Sequence, residues 1–353
     1  MKGLVLAGGT GSRLRPITFS MAKQLIPVAN KPIIEFGLED LVEAGVTDVG
    51  IVISPETGGA IRTAVDRSAQ RIGFTPTYIL QDAPHGLAHA LMIALDFVAG
   101  DDCLMYLGDN LVKGGVADVV RDFEKHRPNC QIMLSPVDNP SAFGVADLAP
   151  DGSIRALVEK PAVPPSNLAL VGVYLFDGSI AEAVHAIKPS KRGELEITDA
   201  IQYQVEHGRS VRASIVSGWW KDTGTRADLL AAQRLVISEL EPAVHGELVD
   251  TVMTGPIHVG AGSRVTGSRL IGPAVIGAGV TIDGSTIGPE TSVGDGCRIT
   301  GATIASSIVM EKAEVNGWMV RDSLLGHNSR LVGMAPPGFV SVMLGEQSEI
   351  VGG

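Results

Sequence analysis

Gly8-Gly9-Thr10-Gly11-Ser12-Arg13-Leu14-Arg15-Pro16 sets three glycines and two arginines directly after the apolar run Lys2-Gly3-Leu4-Val5-Leu6-Ala7. A strand that empties into such a turn presents bare backbone N–H groups above a sheet, and those groups suit phosphate. Arg13, Arg15 and then Lys23 add the cationic side chains that a triphosphate needs. A glycine turn that only reverses the chain is common. The run of small residues with arginine behind it, directly after the first strand, makes that the weaker reading. Two familiar phosphate loops are excluded. A G-x-G-x-x-G count from Gly9 puts Leu14 where the third glycine belongs, and no lysine closes the turn as a P-loop requires.

Carboxylates come next. Asp109 follows the apolar run Met105-Tyr106-Leu107-Gly108, and Asp222 sits in Trp219-Trp220-Lys221-Asp222-Thr223-Gly224-Thr225. Two aspartates from different loops that meet over a triphosphate would hold Mg²⁺, an ion that prefers oxygen ligands and shares its shell with phosphates. Taken alone, Asp222 reads as a helix cap with Thr225 a rival, and Asp109 reads equally well as a turn residue. Glu159-Lys160-Pro161 pairs an acid able to grip sugar hydroxyls with a lysine able to meet phosphate, although a surface ion pair explains it as well. Arg192-Gly193-Glu194-Leu195-Glu196-Ile197-Thr198-Asp199 opens a helix, where acids also suit the dipole. Gln81 precedes Pro84-His85-Gly86-Leu87-Ala88. A glutamine amide plus a backbone amide can read a pyrimidine edge, and an ordinary loop between strand and helix looks the same.

The elements that must carry these residues alternate. Strand patterns at 2–7, 48–54, 75–81, 102–108 and 130–137 are separated by helical patterns at 31–44, 57–70, 86–98 and 115–126. That rhythm predicts an α/β fold with a Rossmann-like, mostly parallel sheet covered on both faces, whose ligands sit beyond the carboxyl ends of the strands. Short strands, a helix over 194–207 and a helix over 225–241 continue the region to Pro242. Beyond it the pattern changes: Val259, Val265, Ile271, Ile276, Ile282, Ile287, Val293, Ile299, Ile304, Val309 and Val315 recur every five or six residues with glycines nearby. This hexapeptide period predicts a left-handed parallel β-helix of four to five coils. Residues 1–242 and 243–353 are therefore expected to be two domains, with 335–353 an extension that the pattern does not place.

Composition bounds the partners. The 353 residues are 45% hydrophobic with net charge −11, which suits a large core and argues against a nucleic-acid surface. No apolar run reaches membrane-spanning length, and Cys103, Cys130 and Cys297 form no C-x-x-C pair. A cytoplasmic protein acting on small molecules, free of membrane and nucleic acid, is the expectation. The β-helix further suggests a homo-oligomer.

In chain order, Gly8–Leu14, Lys23-Gln24-Leu25-Ile26-Pro27, Leu107-Gly108-Asp109-Asn110, Val158-Glu159-Lys160-Pro161, Arg192–Asp199 and Asp222-Thr223-Gly224-Thr225 resemble the glucose-1-phosphate thymidylyltransferases over about residues 1–240, and the β-helical tail resembles their long form. The resemblance implies transfer of a nucleotidyl group from dTTP to α-D-glucose 1-phosphate with Mg²⁺, as in deoxysugar pathways. It implies that Gly8, Gly11, Gln81 and Gly86 hold the nucleotide. Arg13, Lys23 and Lys160, with Asp109, would be catalytic. Asp109 and Asp222 would ligate the metal, and Gly144, Glu159, Lys160, Val171, Glu194 and Trp220 would surround the sugar. Three positions depart from the family: Ser12 replaces threonine, Phe143 replaces the tyrosine of short forms, and His89 stands where they have glutamine. His85 and His89 need no proton-transfer role and are expected to pack or face solvent. Three other readings share the residues: a UTP- or amino-sugar-specific relative, a bifunctional enzyme whose tail transfers acyl groups through His258 or His327, and a non-catalytic sensor of sugar nucleotides.

Overall fold

A computed structural model describes residues 1–352 and divides the chain into two compact units, 1–9 with 33–222 and 10–32 with 223–353.

The first unit is built on a nine-stranded sheet. Its main path runs Ile154–Glu159, Gly144–Leu148, Leu168–Phe176, Cys103–Leu107, Lys2–Leu6, Asp48–Ile53, Thr75–Leu80, while Cys130–Pro136 pairs with both Leu168–Phe176 and Val211–Ile215. The strands that open the chain are parallel, and Leu168–Phe176 runs against its neighbours. Near-continuous apolar strands are what a sheet covered on both faces requires, and Leu4, Val5, Ile51, Val52, Met105 and Tyr106 are all fully buried. Helix Ile33–Glu43 turns Ile34, Leu38 and Leu41 inward at helical spacing. Each such side chain contributes about 1.5–3 kcal/mol on burial.

Register is what matters for chemistry. Leu6 lies opposite both Val52 and Leu107, and Ile53 lies opposite Leu80. The carboxyl ends of four parallel strands therefore stop in one row, and Gly8, Gln81 and Asp109 all fall within two residues of it. A small ladder that the alternation did not reveal completes the unit: Asn110–Val112 pairs antiparallel with Trp220–Asp222.

In the second unit, residues from Ala243 onward wind into a left-handed parallel β-helix with three all-parallel sheets of seven, seven and five strands. Inward side chains stack in columns: Val259, Ile276, Val293, Val309, Leu325 and Leu344 on one face, and Val265, Ile282, Ile299, Val315 and Leu331 on the next. All are buried. The solenoid is longer than the four to five coils expected. Its ends use Ala243–Val244, Glu247–Val249, Met343–Leu344 and Glu349–Gly352, where spacing widens and polar residues interrupt the hexapeptide pattern. Residues 335–352 thus extend the stack rather than leaving it. Corners are held by serines one coil apart. Ser268 Oγ accepts from Ser285 N (3.0 Å), Ser285 Oγ from Ala302 N (3.1 Å) and Ser307 Oγ from Ser323 N (3.1 Å). At Gly288, with φ +98°, a β-carbon would collide with the Ile271 carbonyl, so no other residue fits there.

Residues 10–32 and helix Arg226–Ile237 pack on this solenoid. Gln233, fully buried, accepts from Ser292 Oγ (2.7 Å) and Ala29 N (3.5 Å), and donates to the carbonyls of Ser307 (2.9 Å) and Glu290 (3.2 Å). Asn30 Nδ2 donates to the Val293 carbonyl at 2.8 Å. Arg234 pairs with Glu290 at 2.7 Å. His258 lies 5.8 Å, ring to ring, from His245, and His327 Nδ1 lies 4.0 Å from Glu311. Among the described residues no helix is long and apolar enough to cross a membrane, and all three cysteines are buried thiols.

Candidate active site

The two aspartates are brought together by the small antiparallel ladder. Asp222 lies directly opposite Asn110 in the register, so it is one residue from being opposite Asp109. The register therefore brings the backbones of Asp109 and Asp222 to the same strand ends. Asp222 thus belongs to a strand, and the cap of helix Arg226–Ile237 is Thr225, whose Oγ1 accepts from Asp228 N at 3.2 Å.

Asp109 is held by its neighbours. Asn110 Nδ2 donates to Asp109 Oδ1 (2.8 Å), and Trp220 Nε1 donates to Asn110 Oδ1 (2.6 Å). Asn110 and Trp220 are both buried, so the indole fixes which way the amide points, and the amide orients the carboxylate. The Trp220 ring meets Phe143 edge-on at 5.2 Å, which gives the phenyl that replaces tyrosine a packing role. Two carboxylates, both hard oxygen donors, suit a hard divalent cation.

Gln81, nearly buried, follows strand Thr75–Leu80. Its amide Nε2 donates to the Gly86 carbonyl (3.4 Å) and lies 3.1 Å from His89 Nδ1. Its Oε1 faces Gly8, where a β-carbon would stand 3.3 Å away. Gly86 has φ +106° and abuts the backbone of Leu195 so closely that any side chain would collide with that carbonyl. The loop is tied there by Leu195 N donating to His85 O (2.8 Å) and Ala88 N donating to Leu195 O (3.0 Å). The expectation that His89 merely packs or faces solvent is corrected by its contact with Gln81. Burial first, then the neighbouring His85, hold its pKa below the ordinary histidine value, with Asp82 opposing.

The remaining polar residues form a second cluster. Glu159 and Gly144 are register partners, and a β-carbon on Gly144 would lie 2.8 Å from Thr198 Oγ1 and 3.1 Å from Glu159 Oε2. Thr198 Oγ1 donates to Glu159 Oε2 at 2.7 Å, while Arg192 reaches Glu159 (3.4 Å), Glu194 (3.0 Å) and Glu196 (3.3 Å). Lys160 Nζ lies 3.5 Å from Glu159 Oε1, with its backbone at φ +40°, a strained region for a residue with a side chain. Burial raises the pKa of Glu196 and of Asp199, and the Glu159 charge adds to both. Thr198 and Arg192 lay within a recognised motif, yet only the fold shows that they orient Glu159. Val171 is wholly buried at a register irregularity between Leu170 and Tyr174, so its side chain belongs to the core.

Gly11, Arg13 and Lys23 belong to the second unit. Gly11, at φ +61°, starts a short 3-10 turn and sits against Thr18 and Lys23, where a β-carbon would be 3.0 Å from each. Thr18 Oγ1 donates to the Gly11 carbonyl at 2.8 Å. Arg13 is exposed and Lys23 is buried to 6% accessibility.

Comparison with known proteins bears on what this arrangement serves. A nucleotidyl transferase family model matches residues 2–239. A glucose-1-phosphate thymidylyltransferase of Streptomyces antibioticus is 50% identical over 273 residues, covering 77% of this chain and 76% of that protein. Its counterpart from Streptomyces griseus is 50% identical over 286 residues, covering 76% and 80%. A solved Bacillus anthracis structure described as a glucose-1-phosphate thymidylyltransferase with a sucrose superposes with TM-score 0.64 at 37% identity, covering 69% of this chain and 97% of that one. Enzymes of this kind generally use a divalent metal. On residues matched, identity and shared length together, the chain belongs to the nucleotidyl transferase family and, within it, to the glucose-1-phosphate thymidylyltransferases.

Proposed function

We propose that the chain joins dTTP and α-D-glucose 1-phosphate to give dTDP-glucose and pyrophosphate, by direct in-line attack without a covalent intermediate. The observation that carries the reading is the strand-end row of Gly8, Gln81 and Asp109, with Asp222 delivered beside Asp109 by a ladder. The attacking oxygen belongs to a phosphate monoester already ionised at neutral pH, so no general base is required. What opposes reaction is the repulsion between two polyanions.

In this reading Gly8, Gly11, Gln81 and Gly86 hold the nucleotide, and Arg13 and Lys23 neutralise the triphosphate and the leaving pyrophosphate. Gly144, Glu159, Val171 (through its backbone), Glu194 and Trp220 surround the sugar, with Lys160 at its phosphate. Arg192 and Thr198 orient Glu159 toward sugar hydroxyls. Asp109 and Asp222 would hold Mg²⁺, which when bound neutralises phosphate charge and keeps the reacting phosphates aligned. Cations and donors held in place before reaction would need little reorganisation as charge moves.

Residues 1–242 are proposed as the catalytic domain and 243–353 as the β-helix. The buried free thiols suit a reducing cytoplasm. Exposed strand edges at the solenoid's open ends suit self-association. The deciding experiment is pyrophosphate release with five nucleoside triphosphates against several sugar 1-phosphates. The largest kcat/KM is expected for dTTP with glucose 1-phosphate; a larger value for UTP would overturn the nucleotide assignment. One methyl separates the two bases and is worth only about 1–3 kcal/mol in a pocket.

A further inference from the structure

Gln81 sits at the end of its strand with its two amide ends in different surroundings. Nε2 donates to the Gly86 carbonyl (3.4 Å) and lies 3.1 Å from His89 Nδ1, which accepts when the imidazole carries its proton on Nε2. Oε1 is turned to Gly8, the strand-end glycine of the nucleotide row. With Nδ1 unprotonated, a primary amide that flips by 180° would set its oxygen against the Gly86 oxygen and against that ring nitrogen, two repulsive contacts in place of two hydrogen bonds. The imidazole therefore acts with the Gly86 carbonyl to set which end of the amide is offered outward.

We propose that His89 is a positioning residue that keeps Gln81 Oε1 facing the base, so that the pocket accepts the N3–H of thymine or uracil and disfavours cytosine, whose N3 is itself an acceptor. The inference rests on the nucleotide-binding role given to Gln81. It requires His89 to be neutral with its proton on Nε2, leaving Nδ1 as acceptor. Its surroundings favour the neutral ring: burial and the His85 ring, 5.0 Å away, resist a second proton, and Asp82 is the charge that opposes them. Protonation turns Nδ1 into a donor. The present orientation then keeps only the Gly86 contact, while the flipped amide gains one to Nδ1–H. Selectivity is expected to weaken on acidification, not to invert.

Two variants and one spectrum test this. Equilibrium affinities for dTTP and dCTP, and kcat/KM for each, are measured from pH 5.5 to 8 on wild type, His89→Phe and His89→Gln, after circular dichroism and Tm confirm folding. Wild type is expected to prefer dTTP and to lose about tenfold of that preference as His89 takes up a proton. His89→Phe, without an acceptor, is expected to show the weakened preference at every pH. His89→Gln, whose side-chain carbonyl accepts, is expected to keep it at every pH. Nitrogen-15 NMR of the imidazole should show the Nε2–H tautomer at neutral pH without any substrate, a readout that does not depend on the reaction. Wild-type selectivity and pH profile in His89→Phe, or an Nδ1–H tautomer, would overturn the proposal. If UTP outperforms dTTP, the thymidylyl assignment fails while this one is read with UTP against CTP, because uracil shares the N3–H edge. Absence of binding by any pyrimidine nucleotide would overturn both.

Discussion

At the scale of residues, the chemistry turns on how side chains are aimed. Asp109 has a carboxylate whose direction is set by Asn110, and Asn110 has an amide whose direction is set by the buried Trp220 N–H. Trp220→Phe should keep the packing against Phe143 but leave the Asn110 oxygen with one donor fewer in a buried place. A loss of about 1–3 kcal/mol in stability is expected, with kcat reduced about tenfold, KM for the nucleotide little changed and KM for the sugar phosphate raised. Denaturant unfolding and steady-state kinetics check it. Gly86→Ala meets a different obstacle, a positive φ and the Leu195 carbonyl. It should displace the loop beside Gln81 and raise KM for the nucleotide at least tenfold while sparing KM for the sugar phosphate. Such residue-scale facts were partly legible. Residue types and order pointed to Asp109, Asp222 and Gln81, because polyphosphate chemistry needs carboxylates and amides at strand ends. The link from Trp220 to Asn110 to Asp109 and the hold of His89 on Gln81 were not legible, since neither follows from spacing along the chain.

At the scale of elements, apolar periodicity located most strands and helices of the first unit, because a sheet buried on both faces leaves long uninterrupted apolar runs. The short pair Asn110–Val112 and Trp220–Asp222 escaped notice: three residues per strand carry too little period, and their partner lies far away in sequence. Yet this pair brings together the two aspartates proposed to hold the metal. The N-terminal turn of helix Ile197–Glu206 gathers Glu159, Glu196 and Asp199, and burial together with Glu159 raises the pKa of Asp199. A carboxyl whose folded pKa lies above its unfolded one costs stability once both states are ionised, and the cost disappears as pH falls through the folded value toward the unfolded one. Asp199→Asn is therefore expected to melt higher than wild type at neutral pH. That advantage should shrink as pH enters the carboxylate range. A melting series from pH 4 to 8 reads the crossover.

At the scale of the whole molecule, the hexapeptide rule revealed a solenoid through its inward columns, but it undercounted the coils because the end coils relax the period. The serine corners were visible only as serines roughly one coil apart, with no indication that their hydroxyls satisfy the next coil's N–H groups. Nor does sequence show that residues 10–32, which carry Arg13 and Lys23, are pinned to that solenoid through Asn30 and Gln233. Gln233→Ala would leave the Ser307 and Glu290 carbonyls without that donor and the Ser292 hydroxyl without that acceptor, all within a packed interior. A Tm lower by several degrees is expected, about 1–3 kcal/mol, and kcat should fall with it as the cationic segment loosens. Leu331→Ala, a cavity in the solenoid core far along the stack, should lower Tm without that kinetic change. Equal kinetic loss in both variants would show that the segment answers only to global stability.

The central claim is that Asp109 and Asp222 act as one metal-holding pair at the strand ends. Pyrophosphate release from dTTP and glucose 1-phosphate, titrated with Mg²⁺ for wild type, Asp109→Ala, Asp222→Ala and the double variant, tests it most directly. Each single variant is expected to lose turnover by about a thousandfold or more, and the double variant to lose little further, because half a pair holds no ion. Near wild-type turnover in either single variant at the same Mg²⁺ concentration would contradict the account.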